Sequence, residues 1–221
     1  MSLHPLLLSF EVAGIGTAVA LLLGVAVAGT IASWRFPGRD LLEVLCTAPL
    51  VLPPTVLGYY VLVALGRTGP IGRTWEAAFG APIVFTPTGA VVAAGLGALP
   101  FVVKSSREAM EAVDPRLVDA ARTLGANRLR AFVTVVVPLS VPGILAGATL
   151  GFARALGDFG VTLMVAGDIP GLTRTSALAI YDAVQADRDA EAHGLVALLT
   201  ALALGALWAV NRLVPRGSRV A

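Results

Sequence analysis

The sequence predicts an all-α integral membrane protein with five transmembrane helices, on three observations. Hydrophobic residues make up 57% of the chain and charged residues 14%, and the mean hydropathy is +0.83, far from the balance of a soluble domain. Five long stretches contain no Asp, Glu, Lys or Arg. The charges that remain lie between those stretches, where arginines act as topology signals, so a net charge of +2 implies no nucleic-acid partner.

Residues 12–32 are the first predicted span, long enough at about 1.5 Å per residue to cross a hydrocarbon core of about 30 Å. The residues before it lack a basic n-region and a small-residue cleavage site, so no signal peptide is expected. Trp34 marks an interface, with Arg35 and Arg39 beyond it. Residues 44–66 are the second span. Pro53 and Pro54 interrupt it by removing two backbone donors, so Pro53, Pro54 and Thr55 either line a pathway or form a packing kink. Cys46, the single cysteine, allows no internal disulfide, and no metal site is expected.

A loop with Trp75 leads to the third span, 83–103, which ends at Lys104, Arg107 and Glu108. The fourth span is 131–153, where Gly143, Gly147 and Gly151 make a small-residue ridge for close helix approach. Arg154 and Asp158 stand just beyond it, four residues apart, as an internal pair or as the outer lining of a pathway. The run FGVTLMVAG is too short to cross, and residues 173–188 read as a short amphipathic helix, so a partly re-entrant segment or external loop is expected over 154–193. Residues 194–211 are the fifth span, followed by a tail at 214–221.

The longest charged, amphipathic run is 108–138. Asp114 is a good N-cap, Pro115 suits the first helical position, and Gly125 can take the left-handed conformation that ends a helix. Leu117, Ala121 and Leu124 share one apolar face, away from Arg116, Asp119 and Arg122. A second helix starts at Asn127 and runs through Arg128, Leu129 and Arg130 toward the fourth span. By pattern alone this element either lies on lipid headgroups or docks a partner.

The spacing Asp119-Ala120-Ala121, three residues, Gly125, nine residues, Val135, one residue, Val137-Pro138 resembles the EAA loop of binding-protein-dependent ABC importer permeases. Asp replaces the first Glu, and Val replaces Ile and Leu, which keeps the chemistry. The resemblance implies the type I ABC importer permease fold, as one transmembrane domain over 10–213 with a cytoplasmic coupling loop at 104–130. Asp119, Ala120, Ala121 and Gly125 then take the coupling role. Asp114, Pro115, Leu117, Leu124, Arg128 and Pro138 complete the set expected to dock on an ATPase.

The runs PLVLPPTVLGYYVLVALGR, ARTLGANRLRAF and PLSVPGILAGATLGFARALGDFG are similar to permeases of molybdate ABC transporters, and sulfate and tungstate permeases share parts of them. That resemblance implies a homodimer with two copies of a cytoplasmic ATPase, which binds ATP and Mg, and a periplasmic or lipid-anchored molybdate-binding protein. Arg67, Arg73, Asp168 and Arg174 are candidates for docking the binding protein. Five spans enclose too little for a pore alone, which also favours a two-fold dimer in the bilayer.

Such a chain belongs in a bacterial cytoplasmic membrane. With the N-terminus outside and the C-terminus cytoplasmic, the inner segments hold eleven Lys and Arg residues and the outer segments five. LVPRGS at 213–218 matches a protease-cleavage linker, and discounting Arg216 and Arg219 still leaves nine inside. The only lysine, Lys104, sits in PFVVKSS, so the chain has no Walker A loop and no cofactor of its own is expected. HExxH, CxxC and GxSxG are absent, and His4 and His193 lie far apart, so an enzyme is not expected. A secondary transporter or channel is the alternative class, and uptake that persists in ATP-depleted cells would select it.

Overall fold

The computed structural model describes residues 3–34 and 36–213. Arg35 and the tail with Arg216 and Arg219, counted in the orientation argument, lie outside the described residues.

Helix α1, His4–Ser33, begins eight residues before the predicted first span. Pro5 suits its first turn, and Leu6, Leu8 and Ser9 are buried, while Glu11 sits on an exposed side of the helix. Helix α2, Arg39–Thr47, and a 3-10 turn, Ala48–Leu50, lead to α3, Pro54–Leu65. The expected second span over 44–66 is therefore not one helix. Its halves meet at 115°, because Pro53 and Pro54 have no N–H to give to the carbonyls four residues back. Helix α4, Pro70–Phe79, packs on α3.

Helix α5, Pro87–Glu111, replaces the predicted 83–103 span. Ile83 and Val84 lie outside it, because Phe85 takes φ +60° and Thr86 caps the helix by accepting from Gly89 N at 3.3 Å. The helix then runs on past Lys104. Arg39 of α2 pairs with Glu111 at 3.0 Å, and Arg107 pairs with Glu43 of α2 and with Glu111, so these charges are satisfied within a helix. The loop predicted to start at 104 begins only after Glu111.

Helices α6, Pro115–Thr123, and α7, Arg128–Ala131, follow. A π turn, Phe132–Val136, joins α7 to α8, Val137–Leu156, so Arg128–Leu156 is one rod in place of the predicted 131–153 span. The wide turn sits where Pro138 cannot donate to Thr134. Helix α9, Gly160–Ala166, packs on α3 and α5, and α10, Ser176–Gln185, is shorter than the predicted 173–188 helix. The last helix, α11, Asp189–Leu213, starts five residues before the predicted fifth span. Four described helices are long and apolar enough to cross a membrane, and five if the bent pair counts as one span.

Helix α5 is the centre of the bundle. Ala90, Ala94, Ala98 and Val102 are fully buried against Val12, Ala13 and Ala20 of α1 and Ala155 and Leu156 of α8. Small residues on every face let backbones approach closely, which is how helices associate where lipid offers no hydrophobic drive. A Cβ at Gly147 would stand 2.9 Å from Ser105 Cβ and 3.1 Å from Phe101 O. Gly147→Val is therefore expected to push α8 off α5 and cut the yield of monodisperse protein in detergent several-fold. An unchanged elution profile and melting temperature would reject this packing role.

At the other end of α1, Ser9 and Ser176 share a hydrogen bond of 3.0 Å. Ser9 Oγ also accepts from Ser176 N at 2.7 Å, fixing α10 to the first turns of α1.

Candidate functional site

The first candidate site is the helix–turn–helix of α6 and α7. Asp114 Oδ1 accepts from Arg116 N at 2.9 Å, and Asn127 Oδ1 accepts from Arg130 N at 2.8 Å, so both helices carry side-chain N-caps. Gly125 has φ +89°. Gly125 N donates to Arg122 O and Ala126 N to Ala121 O, each at 3.0 Å, which is the paired bonding of a Schellman motif. Three local devices thus fix one rigid corner.

No residue of α6 is buried. Its inward side is half-buried Val118 and Ala121, beside a groove lined by Ser33, Met110, Phe132 and Val136. Leu117 is 48% exposed and Leu124 89% exposed, so the predicted apolar face splits, with only Ala121 turned inward. Asp119 and Ala120 are also exposed. Arg128 turns back to α1, where it donates to the Ser33 carbonyl and stacks 5.8 Å from the Trp34 ring centre. A cation at a helix C-terminus is favourable there. Pro138 lies inside the long rod, about 15 Å along its axis from Arg128, and is not part of the corner.

The second candidate site is where two helices are interrupted at the same level. The break between α2 and α3 places Pro54 against Gly160, the first residue of α9, where a Cβ would come within 2.7 Å of Pro54 Cβ. Gly58 meets Met164 in the same way. Pro54, Thr55, Arg154, Asp158, Phe159 and Gly160 line a cleft there, and Pro53 caps α3 without lining it. Asp158 is the buried member: Oδ1 accepts from Arg154 Nη1 at 3.0 Å, and Oδ2 accepts from Thr162 N at 2.9 Å and Thr162 Oγ1 at 2.7 Å.

The docking candidates in the 66–80 and 167–175 segments behave differently. Arg67 is 71% exposed and 3.5 Å from Glu76. Arg73 donates twice to the Thr68 carbonyl, at 3.2 and 2.8 Å. Asp168 and Arg174 are bound to each other, at 2.7 and 3.0 Å, and Arg174 also reaches Asp182 at 2.9 Å. These two residues are thus tied into the fold by their own pairing.

A family model described as "Binding-protein-dependent transport system inner membrane component" matches residues 20–218. The chain belongs to that family. It is 43% identical over 182 residues to the molybdenum transport system permease protein ModB of Escherichia coli K12, covering 82% of this chain and 80% of that one. Against the sulfate transport system permease protein CysT of the same organism the identity is 34% over 196 residues, covering 89% and 70%. The fold is that of ABC importer permeases. A bacterial ABC transporter involved in the import of the acidic polysaccharide alginate superposes with a TM-score of 0.77 at 15% identity, covering 99% of this chain and 82% of that chain.

In this permease, the candidate residues fall into one compact corner, one cleft and two separate further segments. Gly58 and Gly160, which hold the cleft together, carry no sequence signal, since their partners Met164 and Pro54 lie far off in the chain. Thr162 stands four residues from Asp158, a spacing that could have pointed to it. Val118 was hidden by its more conspicuous leucine neighbours.

Proposed function

We propose that this chain is the transmembrane permease subunit of an ABC importer that takes up molybdate. The observation that carries this reading is the greater identity to the molybdenum permease than to the sulfate permease, 43% against 34%. The chain works as a homodimer with two copies of a cytoplasmic ATPase, which supplies ATP and Mg, and with a periplasmic or lipid-anchored molybdate-binding protein. It sits in the bacterial cytoplasmic membrane with its N-terminus outside and the α6–α7 corner in the cytoplasm.

The corner then acts as a coupling element. The exposed leucines of α6 are the groups to be buried in an ATPase groove, while the caps and the Schellman bonds keep the corner from yielding under load. Because Arg128–Leu156 is one rod of about 40 Å, displacement of the corner carries directly to Arg154 and Asp158 near its far end. Arg128 passes part of it to α1 through Ser33 and Trp34. Outside, the 67–73 segment is the better of the two docking surfaces for the binding protein, since Arg67 stays 71% exposed beside Glu76 and Arg73 bonds a backbone carbonyl, that of Thr68.

Labelled molybdate uptake in cells with and without this chain tests the reading. Loss of uptake on deletion, with resistance to excess sulfate, is the expected result. Strong competition by sulfate moves the assignment to a sulfate permease, and uptake that survives ATP depletion moves it to another class of transporter.

A further inference from the structure

We infer that Arg154, held in place by Asp158, is the cation that a tetrahedral oxyanion meets as it passes the two helix breaks.

Depth is the first argument. A Cβ at Gly97 would lie 3.7 Å from Arg154 Cζ, and Gly97 is ten residues from the start of α5 and fourteen from its end. At about 1.5 Å per residue the guanidinium stands about 15 Å from one end of the central helix and about 21 Å from the other. That is well inside the bundle, where a charge is costly unless it has work to do.

The second argument is what the break can face. Pro53 and Pro54 cannot donate to the carbonyls of Pro49 and Leu50, and the break is open, with Val51 86% and Leu50 44% exposed. Carbonyls without donors are not tolerated against lipid and survive only against protein or water. The cleft where the starts of α3 and α9 meet the end of α8 is therefore the side of the bundle that turns to the pathway.

The third is the sign of the cleft. Asp158 has 1% of its side chain exposed and both oxygens occupied, one by Arg154 and one by Thr162. Arg154 has 32% of its side chain exposed and, among the described residues, spends one nitrogen on Asp158. A guanidinium carries five N–H donors in a planar fork that suits oxyanions. The pair thus buries its negative end and offers its positive end to the cleft, beside the exposed Thr55. Partial neutralisation by Asp158 also keeps the hold weak enough for release, as transit requires.

This inference rests on the importer reading, and its test separates the two. The transporter, assembled with its ATPase and binding protein in proteoliposomes, is compared with its Arg154→Gln and Arg154→Lys variants. Arg154→Gln should cut molybdate uptake roughly 10- to 100-fold, the value of a charge-assisted hydrogen bond, while ATPase activity stimulated by the binding protein is kept. Arg154→Lys should recover part of it, having the charge without the fork.

A second measurement does not depend on uptake. In a Cys46→Ser, Thr55→Cys background, a sulfonate-bearing and a trimethylammonium-bearing methanethiosulfonate are timed against the introduced thiol. The sulfonate-to-ammonium rate ratio should fall about tenfold when Arg154→Gln is added, as expected when a focused field is removed. An unchanged ratio, or a thiol that neither reagent reaches in any nucleotide state, overturns the inference. If the parent carries sulfate and not molybdate, the substrate assignment fails while the rate ratio still decides the role of Arg154.

Discussion

Gly125→Val is expected to cut ATP-driven uptake by more than about tenfold while leaving a normal amount of the chain in the membrane. No atom lies within 4 Å of a Cβ built at Gly125, so a clash is not the cause. The cause is φ +89°, which a β-branched residue adopts only at a cost of order 1–3 kcal/mol. That is comparable to the net worth of the two backbone bonds that close the corner, about 0.5–1.5 kcal/mol each, so the last turn of α6 loosens and Leu124 leaves its place. Since α6 buries no residue, the spans do not depend on it for folding. Gly125→Asn is the control, because Asn tolerates the left-handed region, and it should keep most of the uptake. Uptake by the Val variant equal to the parent at matched membrane content would sink the coupling role of the corner.

The corner was legible because its chemistry is local. Asp114, Asn127 and Gly125 each act on backbone groups within a few residues, so the sequence carries both halves of every bond. Which side of α6 faces inward was not legible. A helical wheel ranks Leu117 and Leu124 as the apolar stripe, but α6 is short, and it is the smaller Val118 that shares a groove with Phe132 and Val136, while Ala121 is half-buried. The leucines are left exposed.

The spans show the same division. Uncharged runs marked the helices, yet their ends were misplaced wherever a remote partner paid for a charge, as Arg39 and Glu43 do for Glu111 and Arg107. The proline pair announced a break, but neither its 115° angle nor Gly160 opposite it can be read from residues 44–66 alone. Asp168 and Arg174 are docking candidates because a separate binding protein has to meet the loops that hold them, and their pairing with each other, six residues apart across a turn, is not legible from that argument. Arg154 and Asp158, four residues apart on and just past a helix, were the favourable case: the spacing itself implies the contact.

Asp158→Ala is expected to lower the melting temperature of the purified, detergent-solubilised transporter by about 6–12 °C, the equivalent of about 3 kcal/mol in a chain of this size. Three donors lose their acceptor at once. The N–H and hydroxyl of Thr162, a residue only 1% exposed, are left without a partner, each at a cost of about 1–3 kcal/mol. Arg154, with a third of its side chain in contact with solvent, recovers part of its loss by hydration, which keeps the total below the sum. Asp158→Asn retains an oxygen for Thr162 N and should cost about half as much. Thr162→Val removes only the hydroxyl bond, about 1 kcal/mol, and should cost least. A flat series, with Asp158→Ala within about 2 °C of the parent, would mean that the packing of Pro54 on Gly160 holds the break by itself. The carboxylate would then serve only to orient Arg154, and its loss would show in the thiol-reagent ratio at residue 55 and not in stability.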